Sequence, residues 1–173
     1  MRGIIGWCAA FAVAGVIAMG VVFAADEKDK KEEKVSADKL PKAVADAIKA
    51  RFPAGEITGA EKETEDGKVV YDIELKEKGR KYEMDILEDG TILEIEKEIA
   101  AKDVPAAITK AVEGKYPKAK VVEVMEVNKV KGKDETPIHY EVTIEADGKK
   151  SELIVSLDGT SVKTEDEAKK EKK

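Results

Sequence analysis

Apolar positions change their period twice along this chain. In "LPKAVADAIKARFP", Leu40, Val44, Ala47 and Ile48 fall at i, i+4, i+7 and i+8, one stripe of a helix. Pro41 belongs to the first turn, where its missing N–H has no helical partner to lose. Pro53 disfavours helical geometry at Phe52. The spacing predicts one helix between the two prolines. Beyond it the period falls to that of a strand. Val69, Tyr71, Ile73 and Leu75 alternate with Val70, Asp72, Glu74 and Lys76. Lys78-Gly79 and Asp89-Gly90 separate this run from Tyr82, Met84 and Ile86, and those from Leu93 and Ile95. Glycine-containing two-residue turns between alternating runs predict antiparallel hairpins. A shorter run over 56–63 reads as a first strand.

The phrase then returns. At an offset of 64, "VPAAITKAVEGKYP" places Val104, Ile108, Ala111, Val112 and Tyr116 where Leu40, Val44, Ala47, Ile48 and Phe52 stand. A strand-like run over 120–127 follows. "HYEVTI", "DG" at 147–148, "SELIVSL" and "DG" at 158–159 repeat the hairpins at an offset of 69. The five extra residues fall in "NKVKGKDETP", which reads as a loop. A period of this length marks repeated structural units. The expected fold is α+β: two tandem units, each one helix packed on a three- to four-stranded antiparallel sheet. The boundaries read as 1–24 signal peptide, 25–36 charged linker, 37–99 first unit, 100–164 second unit and 165–173 charged tail.

The x-Pro opening, the Phe/Tyr-Pro ending, the "DGK" turn, the Tyr-x-[IV]-x-[LI] strand and the later D-G turn together resemble the PepSY-like domains. These are similar to the beta-lactamase inhibitor protein. The resemblance spans roughly 37–164, in two copies, and rests on a distributed pattern. It implies a non-catalytic extracytoplasmic module that binds or inhibits proteins, peptidases among them. It carries over no catalytic residue and no cofactor.

Charge and targeting fit that expectation. Arg2 is the only charge before Asp26, and the apolar run between them reads as a signal peptide or, if uncleaved, as a membrane anchor. Either way the rest of the chain is expected outside the cytoplasm, periplasmic or secreted. Cys8, the only cysteine, lies within that run, so cysteine-zinc and thiol chemistry are excluded for the remainder. The stretch "DEKDKKEEK" has no apolar residue and reads as a solvated tether, with "EDEAKKEKK" as its counterpart. The net charge of -6 argues against nucleic acid as a partner, leaving an extracytoplasmic protein or peptide.

Catalytic constellations are missing from the sequence. His139 is the only histidine, and alternation puts it on the charged face with Glu141, as an exposed strand residue. Metal sites need several convergent ligands, and a triad needs a His–acid pair for its serine. The aromatic set Phe52, Tyr71, Tyr82, Tyr116 and Tyr140 falls on the apolar phase and reads as core.

One constellation stands out once the hairpins are registered. A two-residue turn at Lys78-Gly79 puts Asp72 opposite Asp85 and Glu74 opposite Glu83. The turn at Asp89-Gly90 puts Asp85 opposite Glu94 and Glu83 opposite Glu96. Two carboxylate rows result, Asp72–Asp85–Glu94 and Glu74–Glu83–Glu96, on the face away from the helix. In the second unit the equivalent rows are Glu141, Ile154, Lys163 and Thr143, Glu152, Glu165. Like charges directly opposite each other destabilise a sheet. Three readings stay open for this face: a solvated surface, a site for a basic protein, and a site for a divalent cation such as calcium.

Overall fold

The computed structural model describes residues 33–65 and 67–170. The segment read as a signal peptide lies outside them. Strands β1 (Glu33–Lys34), β2 (Glu56–Glu65), β3 (Lys68–Glu77), β4 (Arg80–Leu87), β5 (Ile92–Glu98), β6 (Lys120–Lys131), β7 (Asp134–Ala146), β8 (Lys149–Ser156) and β9 (Val162–Thr164) form one antiparallel sheet in chain order. Helix α1 (Lys42–Arg51) precedes β2, α2 (Ala106–Lys115) precedes β6, and α3 (Glu165–Lys170) follows β9.

The helices start and stop where the prolines predict. Pro41 and Pro105 occupy the N-cap positions. Phe52 and Tyr116, each before a proline, leave helical geometry at ψ 75° and 65°, while their N–H groups close the last turn on Ile48 and Val112 at 2.7 Å. Each helix buries its predicted stripe. Val44 and Ile48 pack with Tyr71, Ile73, Leu75, Met84 and Ile86, and Ile108 and Val112 pack with Tyr140, Val142, Ile144, Leu153 and Val155. Phe52 also meets Tyr82, ring centroids 4.6 Å apart.

The repetition extends to irregularities. Thr58 in β2 and Val122 in β6, again 64 residues apart, are the extra residues of matching bulges. The D-G turns at 89–90 and 158–159 close against a helix start. A Cβ on Gly90 (φ 85°) would lie 2.7 Å from the Ala43 carbonyl oxygen, and one on Gly159 (φ 71°) would lie 2.7 Å from that of Ala107. Glycine is required twice over, by its backbone conformation and by the close approach.

Several expectations need correction. The units do not have separate sheets: β5 pairs with β6, Glu94 opposite Lys129 and Glu98 opposite Met125, and the sheet is continuous. Both α1 and α2 cover the same face. Ile95 in the first core pairs with Asn128, and Asn128 shares a side of β6 with Val124 of the second core. The stretch read as a loop is strand on both sides of a turn at Gly132-Lys133, the end of β6 and the start of β7. Its Val130 is buried in the first unit's core, and Glu135 forms ion pairs with Arg51 of α1 and Lys97 of β5. Apolar content was too sparse there for alternation to show, because the hairpin is anchored across the unit boundary. The span read as a tether already carries β1, and Val35 donates its N–H to the Ala60 carbonyl at 2.9 Å. The charged tail begins as α3. Finally, a bulge at Leu93 brings Ile92, not Leu93, opposite Ile86 and against the core.

Candidate functional site

The face opposite α1 and α2 carries the carboxylates. The register of β3, β4 and β5 sets Asp72 opposite Asp85 and Glu74 opposite Glu83. It then sets Asp85 opposite Glu94 and Glu83 opposite Glu96. All six residues singled out in the sequence are brought together in the two expected rows. The bulge at Leu93 leaves those pairs intact because it falls beyond Glu94, toward the turn.

Their surroundings differ from a solvated surface. Glu83, Glu94 and Glu96 are 3% exposed and Asp85 7%, while Asp72 and Glu74 are partly buried. Residues that the sequence did not single out extend the patch. Glu63 of β2 is buried beside Asp72, and Glu141 of β7 is buried on the same face. The signal for Glu63 was hidden by the bulge at Thr58, which breaks the alternation of β2. Apolar side chains flank the acids within the same face: Val127 lies opposite Glu96, and Met125 lies opposite both Glu98 and Glu141.

Electrostatics follow from burial among like charges. Desolvation, then the charges of Asp85, Glu83, Glu74 and Glu63, push Asp72 up to about 9, so it holds a proton at neutral pH. Burial, then Glu96, Glu152 and Glu83, raise Glu141 well above the ordinary carboxylate range. Lys81 brings a cation into the face. Lys81 Nζ is 2.6 Å from Glu83 Oε1 and 3.5 Å from Glu123 Oε2. Burial opposes its charge, but Glu83, Glu123 and Glu74 outweigh that and hold it above its usual value. Asp72 Oδ1 and Glu83 Oε2 are buried without a hydrogen-bond partner among the described residues.

His139 lies on this face as expected, but it is not an exposed strand residue. Its side chain is 12% exposed, with Nε2 3.1 Å from Glu141 Oε1. In the second unit, Glu141 faces Ile154, which faces Lys163, and Thr143 faces Glu152. Glu165 does not complete the second row, because β9 ends at Thr164. Among the described residues no three His, Cys, Asp or Glu side chains are grouped to hold a metal ion.

No curated protein matches this chain. Residues 25–94 and 70–163 match the family described as "Putative beta-lactamase-inhibitor-like, PepSY-like". Among solved structures, one named as putative periplasmic proteins from Bacteroides eggerthii aligns with a TM-score of 0.54 at 16% identity, covering 72% of this chain and 88% of that one. A BLIP-like protein from Bacteroides fragilis aligns with a TM-score of 0.49 at 24% identity, covering 72% and 85%. At such identities the first likeness establishes fold alone. The family matches together run from residue 25 to residue 163, and the chain belongs to the beta-lactamase-inhibitor-like, PepSY-like family.

Proposed function

We propose that this protein is a non-catalytic extracytoplasmic binding module of the inhibitor-like type. On this reading it receives a basic protein or peptide surface on the helix-free face of the sheet, through Asp72, Glu74, Glu83, Asp85, Glu94 and Glu96. The observation that supports the reading is the two-row carboxylate patch itself, in which carboxylates face one another across three strands in buried or partly buried positions. Family membership, the apolar N-terminal run and the periplasmic name of a structural neighbour support the location. The units 37–99 and 100–164 act together here, since β5–β6 pairing makes them one surface.

On this reading a partner would use the chemistry that Lys81 uses within the chain. An ammonium reaching the patch gains charge-assisted hydrogen bonds and relieves carboxylate repulsion. Asp72 loses its proton when such a cation arrives, so affinity rises with pH toward about 9. The second reading is a divalent cation taken by the same face. Oδ1 of Asp72 and Oε2 of Glu83, buried without hydrogen-bond partners, favour it.

The test is capture from an envelope fraction, comparing the wild-type chain with Asp72→Asn/Asp85→Asn/Glu94→Gln, with and without chelator. Capture that survives chelator and is lost in the triple variant supports the protein-binding reading. Loss on chelation in the wild type supports the cation. A triple variant that captures as well as wild type and only melts higher removes this face from the function.

A further inference from the structure

The sheet has a notch where the two units join. β5 leaves it after Glu98, which lies opposite Met125, and the Ile99 N–H donates to the Val124 carbonyl at 2.8 Å. The chain then runs on to α2. Among the described residues, the start of β6 over 120–123 therefore has β7 on one side and no strand on the other. A cleft of about 270 Å³ opens there. Ile108 and Val142, buried in the second core, reach its lining, and Val121 and Val122, 39% and 43% exposed, line its mouth. Glu98 and Glu123 line it too. Both meet Lys81: Glu98 Oε2 accepts its backbone N–H at 3.0 Å, and Glu123 Oε2 lies 3.5 Å from its Nζ. Glu98 is also the next residue of β5 on the face of Glu94 and Glu96. The cleft is thus continuous with the acidic rows.

Size narrows the occupant. A cavity of about 150 Å³ accepts a benzene ring, and pockets for whole small-molecule ligands begin at about 300 Å³. At about 270 Å³ the cleft suits one large apolar side chain. The equivalent place in the first unit has different chemistry. Lys34 lies opposite Glu61 and the Val35 N–H donates to the Ala60 carbonyl, so Lys34 stands in the place of Glu98. Thr58 and Gly59 stand where Val122 and Glu123 do, and buried Leu40 replaces the shorter, partly buried Val104. An apolar mouth flanked by two carboxylates belongs to the second unit.

We propose that this cleft anchors an aromatic or large aliphatic side chain of an extended partner segment, with a lysine or arginine on each side of the anchor. The inference rests on the reading of the acidic face as a binding surface and gives its partner a sequence pattern. An extended chain directs alternate side chains to opposite faces. With the apolar residue in the cleft, pointing toward α2, its two neighbours point toward the face of Glu98 and Glu123. Three carboxylates, Glu83, Glu98 and Glu123, meet the ammonium or amide of Lys81 there. Negative charge is left over for the partner's cations.

The test titrates the chain purified from the envelope, with labelled methyl groups, against two end-blocked peptides, Gly-Lys-Phe-Lys-Gly and Gly-Lys-Ser-Lys-Gly. NMR gives both the affinity and the place of binding. The Phe peptide should bind about tenfold tighter than the Ser peptide and shift the methyl signals of Val121, Val122 and Ile108. In Val121→Thr/Val122→Thr, which keeps side-chain shape and strand preference, that advantage should fall to about threefold or less. No binding, equal binding of the two peptides, an advantage unchanged in the Thr variant, or shifts elsewhere each overturn the proposal. Asp72→Asn/Asp85→Asn/Glu94→Gln separates it from the reading on which it rests. Equal binding of both peptides that is lost in this triple variant keeps the acidic face and removes the anchor. A Phe advantage at the cleft with affinity unchanged in the triple variant keeps the anchor and removes the acidic rows.

Discussion

Gly90 approaches the Ala43 carbonyl as closely as Gly159 approaches that of Ala107, and Thr58 bulges where Val122 bulges. On the helix-covered face the two units agree at the level of single contacts. On the other face they part. The first unit stacks Asp72, Asp85 and Glu94, where the second has Glu141, Ile154 and Lys163. Packing constrains the covered face, because every atom there has neighbours to match. The other face has no helix to match, and its difference between units is where a binding function is read.

The covered face also hides one unequal pair, and it gives the largest expected effect. Phe52 packs on Tyr82, but the residue in Tyr82's place in the second unit is Ser151. Phe52→Ala should cost about 3–5 kcal/mol in denaturant unfolding. Tyr116→Ala should cost clearly less; equal losses would mean that the second core is as full as the first.

The glycines test the agreement directly. Gly90→Ala and Gly159→Ala should each cost about 2–3 kcal/mol, from left-handed backbone and the collision with a helix carbonyl. Losses that differ widely between the two would show that the units tolerate strain differently.

The open face should reveal itself through pH. Asp72 has a folded-state pKa raised to about 9, above its unfolded value. Its contribution to stability is therefore complete below pH about 4 and is lost as pH rises through about 9. Melting temperature should fall between pH 5 and pH 8, and Asp72→Asn should flatten that fall and stabilise the chain at pH 8 by about 2 kcal/mol. A wild-type melting temperature that climbs over this range would refute the raised pKa.

The smallest effect concerns the hairpin that crosses between units. Glu135 is lowered: burial opposes this, but hydrogen bonds and charge from Lys97 and Arg51 outweigh it. Its contribution is present above its ordinary value and lost as pH falls, the opposite sign to Asp72. Glu135→Gln should cost about 1 kcal/mol at pH 7 and less at pH 3. Thermal unfolding at the two pH values measures the difference; an equal cost at both would assign Glu135 a packing role instead.

Much was legible in the sequence. Pro41 with Pro53, and Pro105 with Pro117, bounded the helices through backbone sterics. Lys78-Gly79, both at positive φ, set the register that brought the carboxylate rows together. These are local rules, and local residues carry them. Pairing between β5 and β6 was not legible, since nothing in either strand's alternation specifies a partner beyond its own hairpin. The same holds for Val130 entering the first core and for β1 pairing with β2: both depend on residues distant in sequence. Burial of Glu83, Glu94 and Glu96 followed from the continuous sheet, which placed Val127, Met125 and Glu141 beside them. The sequence by itself therefore determined the elements, the repetition and the order of charges along each strand. Only the tertiary structure decided that the two units share one sheet and that its acidic face is desolvated. Burial is a property of what lies across space, which neither turn chemistry nor periodicity encodes.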